Sequence, residues 1–107
     1  MVALALSPQI AEYLGHVKGQ TSEDKVLALI EAYLSSQLKE CEREIVEYEV
    51  KYRSTFAEFA EAWAKDAIPA KRSHDVERDY MEWEGLEAEK LRWLELLKHL
   101  PRNGHAE

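Results

Sequence analysis

"TSEDKVLALIEAYLSSQLKECEREIVEYEVKY", residues 21–52, decides the fold. Neither glycine nor proline occurs between residues 20 and 68, so nothing in the backbone chemistry interrupts a helix that starts here. Thr21, Ser22, Glu23 and Asp24 supply oxygen side chains and negative charge where a helix has free N–H groups and the positive end of its dipole. Behind them Leu27, Ile30, Leu34, Leu38, Cys41, Ile45, Tyr48 and Tyr52 recur at steps of 3, 4, 4, 3, 4, 3 and 4. That is a packing seam on one helix face, and the two successive steps of four around Leu34 loosen a strict heptad toward a nearly straight rod. At about 1.5 Å per residue the rod is roughly 45 Å long. A single helix of this kind cannot bury its seam alone and requires partners.

Working backward, Ser7 and Pro8 read as N-cap and first residue of a short helix over 8–18, with Ile10, Tyr13, Leu14 and Val17 on one face and Gly19 as its stop. "VALAL" at 2–6 is too short for the apolar core of a secretory signal and has no basic flank, so it is expected to remain in the protein. Its alternation predicts a strand, with Val2, Leu4 and Leu6 on one face and Ala3 and Ala5 on the other.

Working forward, Thr55 and Glu58 form a capping-box pattern ahead of Phe56, Phe59, Ala60 and Trp63. "DAIPAKRS", residues 66–73, connects this third helix to a last one capped by Ser73 or Asp75. Val76, Tyr80, Trp83, Leu86, Trp93, Leu97 and Leu100 trace its apolar stripe, and Pro101 ends it. Gly85 costs about 1 kcal/mol relative to alanine in such a helix, which suggests close packing or a bend.

Composition narrows the function classes. The 107 residues suffice for one compact domain, or for an elongated helical unit completed by another subunit. Twenty-one acidic against 14 basic residues give a net charge of -7, which opposes broad attraction to nucleic acid or anionic membranes. One cysteine, Cys41, permits no intrachain disulfide and suits a reducing cytoplasm. No apolar run approaches the roughly 20 residues of a membrane span.

Catalytic and metal motifs are missing from the sequence pattern. Glu12 to His16 and Glu95 to His99 are each one residue longer than the Glu-x-x-His of a carboxylate-bridged bundle site. The carboxylates from Glu77 to Glu89 alternate with basic residues, as on a solvated helix face. Cys41 lies in the seam with no histidine near it in sequence. We therefore expect no enzyme activity, no metal and no cofactor. The aromatic residues Phe56, Phe59, Trp63, Tyr80, Trp83 and Trp93 chiefly close a core, with some left to anchor a partner protein.

Together, "VALAL", "SPQIAEYLGHVKG" and "QTSEDKVLALIEAYL" resemble a ribbon-helix-helix unit over about the first 40 residues. The stretches "KYRSTFAEFAEAW" and "HDVERDYMEWEGLEAEKLRWLELL" are similar to small bacterial and archaeal proteins of toxin-antitoxin loci, including those found beside TumE-type toxins. Lys51, Tyr52, Phe56, Phe59, Tyr80 and Trp83 match that pattern, while Arg53 stands where its members carry glycine.

The resemblance implies a mainly α protein whose N-terminal β-strand pairs across a homodimer, or within a higher homo-oligomer. Residues 1–44 would form the dimerisation region and residues 45–107 a helical extension that binds a toxin. It also implies operator contact through Ala3, Ala5, Lys18, Thr21, Ser22 and Lys25. Against that, two alanines offer base edges only methyl groups, and Glu23 and Asp24 occupy the place of a phosphate. The alternative is a structural or adaptor helical oligomer that binds neither toxin nor DNA.

Overall fold

The computed structural model describes residues 5–101, whose regular structure is four helices: α1 (Pro8–Leu14), α2 (Ser22–Tyr52), α3 (Phe56–Ala64) and α4 (His74–Lys98). Local chemistry sets their starts. The Ser7 hydroxyl accepts the Ile10 N–H ahead of Pro8, and the Ser73 hydroxyl accepts that of Val76. Thr21 with Asp24, and Thr55 with Glu58, form reciprocal capping boxes.

Helix α1 ends at Leu14, four residues before the expected stop. Gly15 follows it, and His16 and Val17 donate three residues back in tight turns to Tyr13 and Leu14. Gly19 is needed for another reason: it sits at φ 130°, and a Cβ there would lie 2.8 Å from the Asp24 Cβ.

The expected N-terminal strand is not present among the described residues. Ala5 and Leu6 are irregular and exposed, so Leu6 enters no apolar core. Val2, Ala3 and Leu4 lie outside the described residues. Ahead of the proline-started helix, Ala5 and Leu6 find no strand among the described residues to pair with, and the described fold is all-α.

Helices α2 and α4 form a long antiparallel hairpin. Residue number falls along α4 as it rises along α2, through Tyr33 with Trp93, Cys41 with Leu86, Tyr48 with Glu82 and Tyr52 with Asp79. Short α3 packs on α4 at one end only. There Trp83, fully buried, stacks on Tyr48 and Tyr52 with ring centroids 5.6 and 5.9 Å away, and meets Phe56 and Phe59 at 5.4 and 5.1 Å. Cys41 and Ile45 complete this core, with Trp63, Ile68, Val76 and Tyr80 around it.

The α3–α4 connection is pinned by Lys71, whose ammonium donates to the Trp63 carbonyl at 2.7 Å and lies over that indole. The molecule measures 58 × 33 × 21 Å, with a radius of gyration of 20.2 Å against about 13 Å for a compact chain of this length. One core therefore serves one end of a rod.

Candidate functional site

The aromatic candidates separate by position. Phe59 and Trp83 are taken up by the intramolecular core at 2% and 0% exposure, so neither can anchor a partner while the chain is folded. Phe56, Trp63 and Tyr80 are half-buried against them, with Trp63 and Tyr80 rings 4.4 Å apart. Trp93 differs. It lies farther along the hairpin, half-buried like them, edge-on to Tyr33 at 6.3 Å, with its indole N–H donated to Glu89 and the Arg92 guanidinium over its ring.

The proposed DNA contacts are largely engaged in local structure. The Thr21 hydroxyl accepts the Asp24 N–H, and the Asp24 carboxylate accepts the Thr21 N–H, so an acid fills the anion site at the start of α2. Lys25 donates to the Val17 carbonyl at 2.7 Å, tying down the α1–α2 turn. Lys18 and Ser22 are exposed, Ala5 is exposed and irregular, and Ala3 is outside the described residues. Nothing here gathers cations for a phosphate backbone.

Polar groups near the core hold the fold together. Burial pushes the Asp79 carboxyl up, but hydrogen bonds from Lys51 and Tyr52 and the charge of Lys51 outweigh it and keep the acid below the usual carboxylate range. Burial and the hydrogen bonds to Glu82 and Asp79 push the Tyr48 and Tyr52 phenols up. The Cys41 thiol is raised by burial and by the charges of Glu89 and other nearby glutamates, and it donates to the Leu86 carbonyl. A thiol so held is a weak nucleophile. Among the described residues no three His, Cys, Asp or Glu side chains group so as to hold a metal ion.

What remains is the far end of the hairpin, where among the described residues no third helix packs extensively on α2 and α4. Ile30, Leu34, Leu96, Leu100 and Pro101 line an apolar groove there, edged by Arg92, Glu95 and His99. Leu29, Ile30 and Tyr33 on α2 are 48%, 40% and 59% exposed, and Leu91 and Leu96 on α4 are 64% and 46% exposed. Exposed apolar side chains beside an apolar groove are a common feature of protein-contact surfaces.

A second groove lies farther along the same helices, lined by Glu44, Tyr48, Glu82, Gly85, Leu86 and Glu89. The two are related by helical register. Glu44 and Tyr48 lie fourteen residues beyond Ile30 and Leu34, while Glu82 and Leu86 lie fourteen before Leu96 and Leu100. Seven-residue steps keep nearly the same helix face, drifting by about 20° each. The grooves are consecutive stretches of one flank, apolar toward the open end and acidic toward the core. Gly85 lines the acidic stretch, and a Cβ added to it would meet nothing within 4 Å. It does not serve the close packing expected of it, since no neighbour needs the room.

Sequence spacing places Ile30 and Leu100 in apolar stripes but passes over Tyr33 and Leu96. Their signal is nevertheless present: both are large apolar residues beside the stripe rather than on it. Among the described residues no helix is long and apolar enough to cross a membrane. The chain matches no protein-family model, no curated protein and no solved structure.

Proposed function

We propose that this chain is a non-enzymatic protein of antitoxin type that neutralises a partner protein by binding it through its helical C-terminal half. The distal part of α4 and the facing part of α2 are the contact surface. One observation carries the reading: Ile30, Leu34, Leu96 and Leu100 line an apolar groove between α2 and α4 at the open end, with Tyr33 59% exposed on the same stretch of α2. Trp93, partly buried against the core and edge-on to Tyr33 of the facing helix, is the aromatic anchor of that surface. DNA is not part of the proposal, because Thr21, Asp24 and Lys25 are engaged with one another's backbone or with the preceding turn. As an antitoxin it acts in the cytoplasm, beside its toxin.

Co-expression with the product of the adjacent gene tests this. A stable complex and rescued growth are expected, both lost in Leu96→Glu. Neither complex nor rescue with the unaltered chain overturns the reading.

The shape supports a second reading, a structural or adaptor oligomer. The molecule is a rod of 58 × 33 × 21 Å rather than a compact unit, a shape whose long sides are open to further copies of the chain. Sedimentation of the chain alone, as monomer or oligomer, separates the readings.

A further inference from the structure

The two grooves on the α2–α4 flank differ in chemistry along their length, and that difference specifies what fits. An apolar face suits the stretch of Ile30, Leu34, Leu96 and Leu100. In the next stretch Tyr48 and Leu86 stand two heptads from Leu34 and Leu100, but carboxylates replace the other two apolar positions, Glu44 two heptads from Ile30 and Glu82 two heptads from Leu96, and Glu89 one heptad from Leu96 adds a third. Along α2 the change takes fourteen residues, roughly 21 Å at about 1.5 Å per residue. Gly85 lies in the wall of the acidic stretch, where it costs helix stability and relieves no contact inside the chain. A missing side chain on a groove wall lets another backbone approach closely.

We propose that this flank receives one amphipathic helix of the partner protein. Its apolar side chains cover Ile30, Leu34, Leu96 and Leu100, its lysines or arginines lie beside Glu44, Glu82 and Glu89, and its backbone passes over Gly85. The inference rests on the partner-binding reading above and adds the chemistry of the partner. A helix laid on a helical pair is a common recognition mode, and it supplies at the open end the third helix that α3 supplies at the other. A second copy of this chain fits less well. Each copy carries a charge of -7, so two copies repel each other overall.

The probe is a synthetic helical peptide of about 18 residues. It carries leucine at alternating three- and four-residue steps and lysine flanking the leucines in one half; a control has glutamate in place of lysine. Titration of the full chain, followed by tryptophan fluorescence, is expected to show the lysine peptide binding at least about tenfold tighter than the control, a gap that narrows in high salt. Gly85→Leu should abolish binding while leaving the melting temperature unchanged or raised, since the new side chain meets open space. Equal affinity for the two peptides, or undiminished binding by Gly85→Leu, overturns the proposal. So does a dimer in sedimentation that Leu96→Glu dissociates, because the groove then holds a second copy. If the lysine peptide binds as described but the adjacent gene product does not, the groove chemistry stands and the antitoxin reading falls.

Discussion

The two ends of the α2–α4 hairpin are built from the same two helices and the same apolar seam, yet one is closed and the other open. At the closed end, α3 lays Phe56 and Phe59 against Trp83, and the aromatic core reaches full burial. At the open end Leu34 is buried between the helices while Leu29, Ile30, Tyr33 and Leu96 remain exposed. A pair of helices hides only the stripe where they touch; hiding the flanks takes a third. The aromatic core at the closed end is thus completed within the chain, whereas the open end keeps an apolar groove at its surface.

The largest difference between the ends should appear on truncation. Trp83→Ala removes a fully buried indole touching four other rings, and is expected to cost about 3–5 kcal/mol. That is a large share of the roughly 5–15 kcal/mol of an ordinary domain, so urea denaturation should show a markedly lowered midpoint. Native-state hydrogen exchange should give the same contrast without mutation. Amides near Cys41 and Ile45 should exchange only by global opening, and those near Ile30 and Leu96 by local fraying. Equal protection at both ends would erase the distinction.

Next comes the polar lock of the closed end. Asp79 is 9% exposed and accepts from Lys51 and Tyr52. Asp79→Asn should cost about 1–2 kcal/mol at neutral pH, below the upper range for charged hydrogen bonds because the Lys51 side chain is 56% exposed. Its folded pKa is depressed, so the folded state favours the ionised form. The contribution is complete above the unfolded value of about 3.9, and is lost as the pH falls through the lower folded value. Stability of the parent protein should fall over that acid range, and the Asp79→Asn variant should lose part of the slope. An unchanged slope would show that other carboxylates carry it.

How much of this contrast can be read from the sequence depends on whether the cause is local. Caps at Ser7, Thr21, Thr55 and Ser73 are legible because each needs only its own few residues. The seam is legible because helical spacing is a property of one helix. The strand expected at 2–6 misleads because alternating apolar residues look the same whether or not a ladder partner exists, and exposed, irregular Ala5 and Leu6 have none among the described residues. The fates of Trp83 and Trp93 are inseparable in sequence, because both fall on the α4 stripe and only the position of α3 distinguishes them. Likewise, the open groove draws on residues sixty-six apart in sequence, such as Ile30 and Leu96, whose proximity no local pattern states.

Two glycine exchanges of smaller effect sharpen the contrast, one at each part of the hairpin. Arg53 ends α2 in the left-handed region, at φ 56° and ψ 41°, where a side chain crowds the backbone. Arg53→Gly should stabilise the closed end by about 0.5–1 kcal/mol, because glycine enters the left-handed region without the steric cost of a side chain. Gly85→Ala, in the wall of the acidic groove, should stabilise by about 1 kcal/mol, because a Cβ there gains helix propensity and meets nothing. Thermal melts of the single and double variants check both. If Gly85→Ala destabilises, the groove wall is packed in solution and the flank is not free.

The smallest expected effect is the most diagnostic. Leu96→Glu places a charge on a side chain already 46% exposed, at a register position where α4 carries glutamate one and two heptads earlier. In a free chain it should change stability by no more than about 0.5 kcal/mol in either direction. It should nevertheless remove partner binding, because the charge would be desolvated beneath an apolar helix. A chemical melt beside a binding titration therefore separates surface that holds the fold from surface that meets a partner. Should Leu96→Glu instead unfold the chain as Trp83→Ala does, Leu96 would belong to a core completed by a second copy, and the open end would be closed in the native assembly.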